Sequence, residues 1–360
     1  MPVVGFPHRE RYDVPLSDLT TLRLGGRARR LVEARTADEL VEAVAAADAA
    51  DEGLLVMAGG SNLVIADAGF EGTVVRVLTR GISADTRGDR AGLFVAAGER
   101  WDELVARCVA EGLAGIECLS GIPGSTGATP IQNVGAYGQE VAEKIASVRA
   151  YDREARTDVE LAPTECKFAY RSSVFRRSTR YVVLGLTFVL ERSCAGRPVR
   201  YAEFARVLGV EPGAQPPLSA VREAVLGLRR KKGMVIDSRD PDSVSAGSFF
   251  VNPILSGEEF AALTRRAAEF LGEDIRPPAW LEVDRRVKTS AAWLIERAGF
   301  HRGYGEGRVG ISSKHTLALI NRGGATTTEL LALAQELLDG VRAAFGVTLH
   351  PEPTLVGAEL

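Results

Sequence analysis

Residues 112–140 read GLAGIECLSGIPGSTGATPIQNVGAYGQE, and seven glycines fall within 112–138: Gly112, Gly115, Gly121, Gly124, Gly127, Gly135 and Gly138. Average composition would place about two there. Glycine reaches positive φ and permits close backbone approach, so such a run can wrap N–H groups around a phosphate or pyrophosphate. Ser125, Thr126, Gln132 and Asn133 add side-chain partners, although an irregular surface loop would share this composition. A shorter turn of the same chemistry, AGGSNLV (58–64), follows the strand-like LLVMA (54–58). Two loops of this kind point to a large phosphorylated ligand.

Before these loops, RLVEA (30–34) reads as a strand, and Thr36 with Glu39 forms a capping box ahead of the periodic ADELVEAVAAADAA. With LLVMA, LVIAD (63–67) and TVVRV (73–77) as further strands, a small α/β unit forms by about residue 80. LFVAAG (93–98) and the helical WDELVARCVAEG open a second unit. It runs through the Gly-rich stretch to the strands SVRAYD (147–152) and YVVLGLTFVL (181–190), ending near PGAQPPL (212–218). Beyond it come helices over VREAVLGLRRKK, over 258–271 capped by Ser256 and Glu259, over TSAAWLIERAG stopped by Gly299, and over 328–345 capped by Thr326 and Glu329.

The 360 residues predict two or three domains at roughly 150 each, and 46% hydrophobic with 25% charged residues is a globular composition. Forty-four basic against 47 acidic side chains leave a net charge of −3, which offers a polyanion no attraction, so nucleic acid is not the expected partner. Cys108, Cys118, Cys166 and Cys194 form no C-x-x-C pair and read as reduced cytosolic thiols without a metal site. The N-terminus lacks a signal pattern and the longest apolar stretch is too short for a membrane span, so a cytoplasmic location is expected. Gly305, Gly307 and Gly310 spell G-x-G-x-x-G, but a helix-like segment precedes them and Glu329 already serves as a cap, which is the wrong setting for a dinucleotide loop.

Four segments set polar groups beside aromatics: FAYRSSVF (168–175), AGSFFVNP (246–253), SSKHTLALIN (312–321) and HPEPTLVG (350–357). Singly, Arg171 reads as a surface charge, Ser248 as a turn residue, His315 as an interior imidazole and Glu352 as a solvated carboxylate. Together they supply an anion clamp, a hydroxyl proton carrier and a carboxylate, the parts needed to polarise a substrate acid and move a proton.

In order and spacing, TTLRLGGRARR (20–30), AGGSNLVI, GIPGSTGATPIQNVGAYGQE, YRSSVF, GSFFVNP, AAWLIERAGF and HPEPTLVG resemble the UDP-N-acetylenolpyruvoylglucosamine reductases, flavoenzymes of bacterial peptidoglycan synthesis. GATPIQNVGAYG, with Tyr201 in YAEF, is similar to the subtype carrying an extra substrate-covering loop. The resemblance implies an α+β chain with an FAD-binding α/β pair of the vanillyl-alcohol oxidase or p-cresol methylhydroxylase type, followed by a C-terminal α+β substrate-binding domain. Boundaries are expected at 1–82 (joined by a C-terminal strand, 346–360), 83–216 and 217–345.

It also implies a ping-pong cycle in which NADPH reduces non-covalent FAD and is replaced by UDP-N-acetylglucosamine enolpyruvate, which becomes UDP-N-acetylmuramate. Arg171 matches the arginine that stabilises the enolpyruvyl carboxylate, Glu352 its carboxylic partner and Ser248 the proton donor. FAD contacts are implied for Gly59, Gly60, Ser61, Asn62 and Leu63, and for Gly121, Pro123, Gly124, Ser125, Thr126, Gln132, Asn133, Gly135, Ala136, Tyr137 and Gly138. Substrate contacts are implied for Tyr170, Tyr201, Lys232 or Lys231 beside it, Asn252 and His315. Two departures stand out: the loop between the basic cluster and GSFF is longer than the family pattern, and Val251 stands where the family often has lysine. The rival readings are an oxidase on the same flavin-binding fold and a catalytically silent flavin or sugar-nucleotide binder.

Overall fold

The computed structural model describes residues 10–85, 88–199 and 202–360. The chain divides into two compact units. Of the described residues, the first holds 10–14, Ala28–Gly60 and Phe70–Lys231, and the second holds Pro15–Arg27, Ser61–Gly69 and Lys232–Leu360.

In the first unit, Arg27–Ala34, Phe70–Val77 and Leu54–Met57 lie side by side as parallel strands, and the helix Ala37–Ala49 supplies the crossover that parallel pairing needs. Thr36 Oγ1 accepts from the Glu39 N–H at 3.2 Å, while Glu39 reaches back to the N–H of Arg35 at 2.8 Å, one residue before the cap. A second, antiparallel sheet runs in the order Thr157–Leu161, Ile145–Asp152, Tyr181–Arg192, Arg90–Ala96, Ile82–Asp85. Tyr181–Arg192 is almost continuously buried, as befits a central strand covered on both faces. Val32 and Val75 from the first sheet share one core with Leu93, Trp101, Leu186 and Phe188 from the second. The two α/β segments that read separately in sequence are therefore packed as one body.

LVIAD does not join either sheet. Leu63–Ile65 pairs in parallel with Thr354–Val356 in the second unit, where Val64 is core; flanking Gly59–Gly60 and Gly69 let the chain leave and re-enter the first unit. The rest of the second unit is a small antiparallel sheet of Ser245–Ser248, Ala318–Asn321 and Val309–Ile311. The helices Gly257–Leu271, Ala291–Arg297 and Thr327–Phe345 pack with it around Phe249, Phe250, Leu294, Leu319, Leu330 and Leu337. The capping boxes of Ser256 and Thr326 close in both directions. The G-x-G-x-x-G glycines lie after a helix and lead into Val309–Ile311, the reverse of a dinucleotide loop. Among the described residues no helix is long and apolar enough to cross a membrane.

Asp67 holds the first turn of Thr327–Phe345, accepting from the N–H groups of Thr327 (2.7 Å) and Thr328 (2.9 Å) and from the Thr328 hydroxyl (2.7 Å). Partial burial pushes its carboxyl up, but these donors outweigh burial and hold it below the usual carboxylate range. Asp67→Ala is expected to cost about 1 kcal/mol of stability, as loss of a helix cap does, read as an earlier urea midpoint. Because the folded-state pKa is depressed, this contribution is present above the ordinary carboxylate pKa and is lost as pH falls through the lower folded value. The gap between parent and variant should therefore close in acid.

Candidate active site

The Gly-rich stretch is pinned to the chain just past the inner strand Arg90–Ala96. The N–H of Thr126 donates to Glu99 O at 2.7 Å, that of Gly127 to Ala97 O at 2.8 Å, and that of Trp101 to Gly124 O at 3.1 Å. A Cβ on Gly127 would lie 2.5 Å from Ala97 Cβ, so no larger residue fits. Asp102 anchors the start of the stretch by accepting from the Gly121 N–H at 2.6 Å, and is itself held by Arg222 at 2.6 and 3.0 Å. Burial pushes Asp102 up, but Arg222 and Gly121 hold it below its ordinary pKa. Nearby, burial pushes the Arg229 guanidinium down to about 10.

The earlier turn meets this stretch directly: a Cβ on Gly59 would sit 3.2 Å from Gly124 Cα. The two glycine loops of the sequence thus face each other, backbone to backbone, with no side chain between. At the base of the longer loop the Thr126 hydroxyl is fully buried without a hydrogen-bond partner. Gln132 is buried as well. The Asn133 side chain donates to Glu140 Oε2 (2.8 Å) and Ala169 O (3.2 Å) and accepts from the Ala142 N–H (3.1 Å).

Arg171 belongs to the same unit. Its backbone is left-handed, φ +50°, an uncommon conformation for a side-chain-bearing residue. The guanidinium donates to Gly135 O at 2.9 Å and lies 5.1 Å from the centroid of the Tyr170 ring, which fixes its plane through a cation–π contact. Tyr137 packs against Phe204, ring centroids 5.3 Å apart, and with Gly138, Gln139 and Arg197 it lines a cavity of about 260 Å³. Tyr201 lies outside the described residues.

In the second unit Ser248 ends the strand Ser245–Ser248, where pairing with Ala318–Asn321 shifts register. Gly247, φ +78°, makes the bulge that re-aims the serine. Ser248 Oγ faces His315 Nε2 at 3.5 Å, longer than an ordinary hydrogen bond. The Glu352 N–H donates to Phe249 O at 2.8 Å, which brings the carboxylate-bearing residue beside the serine. Asn62 joins them: its side-chain amide reaches Glu352 O at 3.5 Å and its own carbonyl accepts from the Thr354 N–H at 2.9 Å. Ser61 and Leu63 flank it in the same unit. Asn252 Oδ1 accepts from the Ala291 N–H at 3.0 Å at the head of a helix. Lys232 is exposed just past the helix Leu218–Lys231.

The proximity of Ser248, His315, Glu352 and Asn62, drawn from four distant stretches of one chain, sets the comparison with known proteins. Residues 240–356 match the family model for the UDP-N-acetylenolpyruvoylglucosamine reductase C-terminal domain, and residues 28–157 match an FAD-binding domain. UDP-N-acetylenolpyruvoylglucosamine reductase of Thermobifida fusca is 57% identical over 349 residues, covering 97% of this chain and 98% of the relative. The chain belongs to the UDP-N-acetylenolpyruvoylglucosamine reductase family. The reductase of Streptomyces avermitilis is likewise 57% identical, over 98% of this chain and 96% of its own. The crystal structure of the Thermus caldophilus reductase shares the fold, with a TM-score of 0.63 at 23% identity over 96% of this chain and 98% of that one.

The residues present fit the FAD that the family's domain implies. Two glycine backbones in contact present N–H groups with no side chain over them, a surface that suits a pyrophosphate, and the orphaned Thr126 hydroxyl supplies a donor where burial without a partner is costly. Sequence reasoning missed Asp102, Glu117 and Asp242. Glu117 is almost fully buried and takes the Gly115 N–H (2.6 Å), the Gln139 amide (2.8 Å) and the Arg197 N–H (3.0 Å). As single carboxylates, Glu117 even within the Gly-rich stretch, they gave no signal beyond their number.

Proposed function

We propose that this chain is an FAD-containing, NADPH-dependent reductase that converts UDP-N-acetylglucosamine enolpyruvate to UDP-N-acetylmuramate in peptidoglycan precursor synthesis. When bound, FAD supplies the two-electron relay from NADPH to the enolpyruvyl double bond. The chain's own residues do the rest. Gly59, Gly60, Gly121, Gly124 and Thr126 hold the cofactor through backbone and hydroxyl contacts. Cys118, within the Gly-rich stretch, is a poor attachment point, because burial raises its thiol pKa far above the ordinary value; the flavin is held non-covalently.

Arg171 binds the enolpyruvyl carboxylate and stabilises the charge that spreads onto it when hydride reaches C3. A guanidinium stays charged and offers a planar fork, which suits a carboxylate better than an ammonium does. Ser248 Oγ delivers the proton to C2, His315 Nε2 faces that hydroxyl, and Glu352 partners the carboxylate end. Lys232 and Tyr201 are assigned to the substrate's far side and its cover, and a cytoplasmic location follows from the nucleotide-sugar substrate.

The observation that carries this reading is Ser248, turned by the Gly247 bulge toward His315 and next to Glu352, an arrangement for which a silent binder has no use. Purified protein should be yellow, bleach with NADPH and regain its colour on adding the enolpyruvyl sugar nucleotide. Bleaching without recovery would favour the silent binder, and turnover of a phenolic alcohol with oxygen would favour an oxidase.

A further inference from the structure

The loop of residues 232–250 folds back onto the turn that carries His315. Asp242 sits at its tip, 5% exposed. Its Oδ1 accepts from the Ser313 N–H at 2.9 Å and its Oδ2 from the Ser313 hydroxyl at 2.6 Å. Two bonds to one residue fix both the place and the orientation of that residue, where a single bond would leave it free to rotate. Asp240 adds a third tether, accepting from Lys314 Nζ at 2.7 Å. Inside the turn the buried Ser312 hydroxyl accepts from the N–H groups of Lys314 (3.0 Å) and His315 (3.2 Å). His315 leaves this doubly held turn with Nε2 3.5 Å from Ser248 Oγ.

The clamp is itself braced. Asp240 Oδ1 accepts from the Asp242 N–H at 3.2 Å, and Ser243 Oγ donates to the carbonyls of Asp237 (2.8 Å) and Asp240 (2.7 Å). At the root of the loop a Cβ on Gly233 would lie 2.9 Å from Asp242 Cβ, so the loop closes tightly against its own start. Burial pushes the Asp242 carboxyl up, but the two Ser313 donors, Ser312 and Lys314 outweigh it and keep the group below its ordinary pKa, hence anionic and able to accept at neutral pH.

We propose that Asp242 is a positioning residue for the reaction, holding the Ser312–His315 turn so that His315 faces the Ser248 hydroxyl. This rests on the reading of Ser248 as proton donor. The loop then serves a purpose, because it places the carboxylates of Asp240 and Asp242 against that turn.

The test uses the FAD-loaded full chain with Asp242→Ala and Asp242→Asn, following each half-reaction by stopped-flow absorbance. Asp242→Ala is expected to slow flavin reoxidation by the enolpyruvyl sugar nucleotide about 10-fold, equivalent to about 1.4 kcal/mol in the barrier. Bleaching by NADPH and the substrate KM should stay within about 2-fold of the parent on that same scale. Asp242→Asn keeps one acceptor oxygen and should fall between the two. A second readout needs no turnover: the chain has four histidines, and the His315 ring resonances, assigned with His315→Gln, should move in Asp242→Ala. If that protein does not fold, Ser313→Ala, which deletes only the hydroxyl bond, serves both measurements.

Equal slowing of both half-reactions, or an unmoved His315 resonance, would overturn the inference. Failure of Ser248→Ala to single out reoxidation would overturn the underlying reading instead, and the resonance would still report whether Asp242 governs that ring.

Discussion

Ser248→Ala should leave bleaching by NADPH nearly unchanged and slow reoxidation by the enolpyruvyl sugar nucleotide about 10²- to 10⁴-fold, the usual loss when a positioned proton donor is removed. The substitution deletes one oxygen and little else. Ser248 is only partly buried, its neighbours Phe249 and Phe250 carry the packing at 1% exposure each, and the bulge is set by Gly247 rather than by the serine. Stability and cofactor content should therefore match the parent. Stopped-flow traces of the separate half-reactions decide the matter: if both slow alike, the hydroxyl is a structural group and the assignment fails.

Arg171→Lys is the second large effect. The guanidinium has five donors, so it can keep its 2.9 Å bond to Gly135 O and still present a fork to a carboxylate. Lysine offers a point charge, loses the planar contact with Tyr170, and cannot do both at that distance. A loss of about 10²- to 10³-fold in kcat/KM is expected, comparable to removing one preorganised donor from an oxyanion site, with the flavin absorbance of the purified protein unchanged. A parallel fall in bound flavin would show instead that Arg171 acts by holding the Gly-rich stretch in place.

Much of this was legible because local rules and global fold agree. The Thr326 and Ser256 boxes start helices where sequence placed them, and YVVLGLTFVL is the central strand that its unbroken apolar run predicts. Thr157–Leu161 went unread because it is an edge strand, largely exposed, whose residues TDVEL carry little apolar signal. The fate of LVIAD was hidden for another reason: its partner is Thr354–Val356, and pairing over that separation leaves no local mark. At the site, residue type marks Asn133 as a polar group but not how it is held: its amide is fixed on Glu140, Ala169 and Ala142, partners that only the fold brings together.

The way the second unit borrows two early stretches of chain bears on how the protein is made. Leu22, Leu24 and Val64 belong to a core whose other members begin at Ala246, and the edge of Leu63–Ile65 is closed only by Thr354–Val356. On the ribosome these aliphatic groups wait, sticky and unclosed, until Thr354–Val356 has been made. A product that stops near residue 231 would bare them permanently, so premature termination should yield aggregates rather than a smaller flavoprotein.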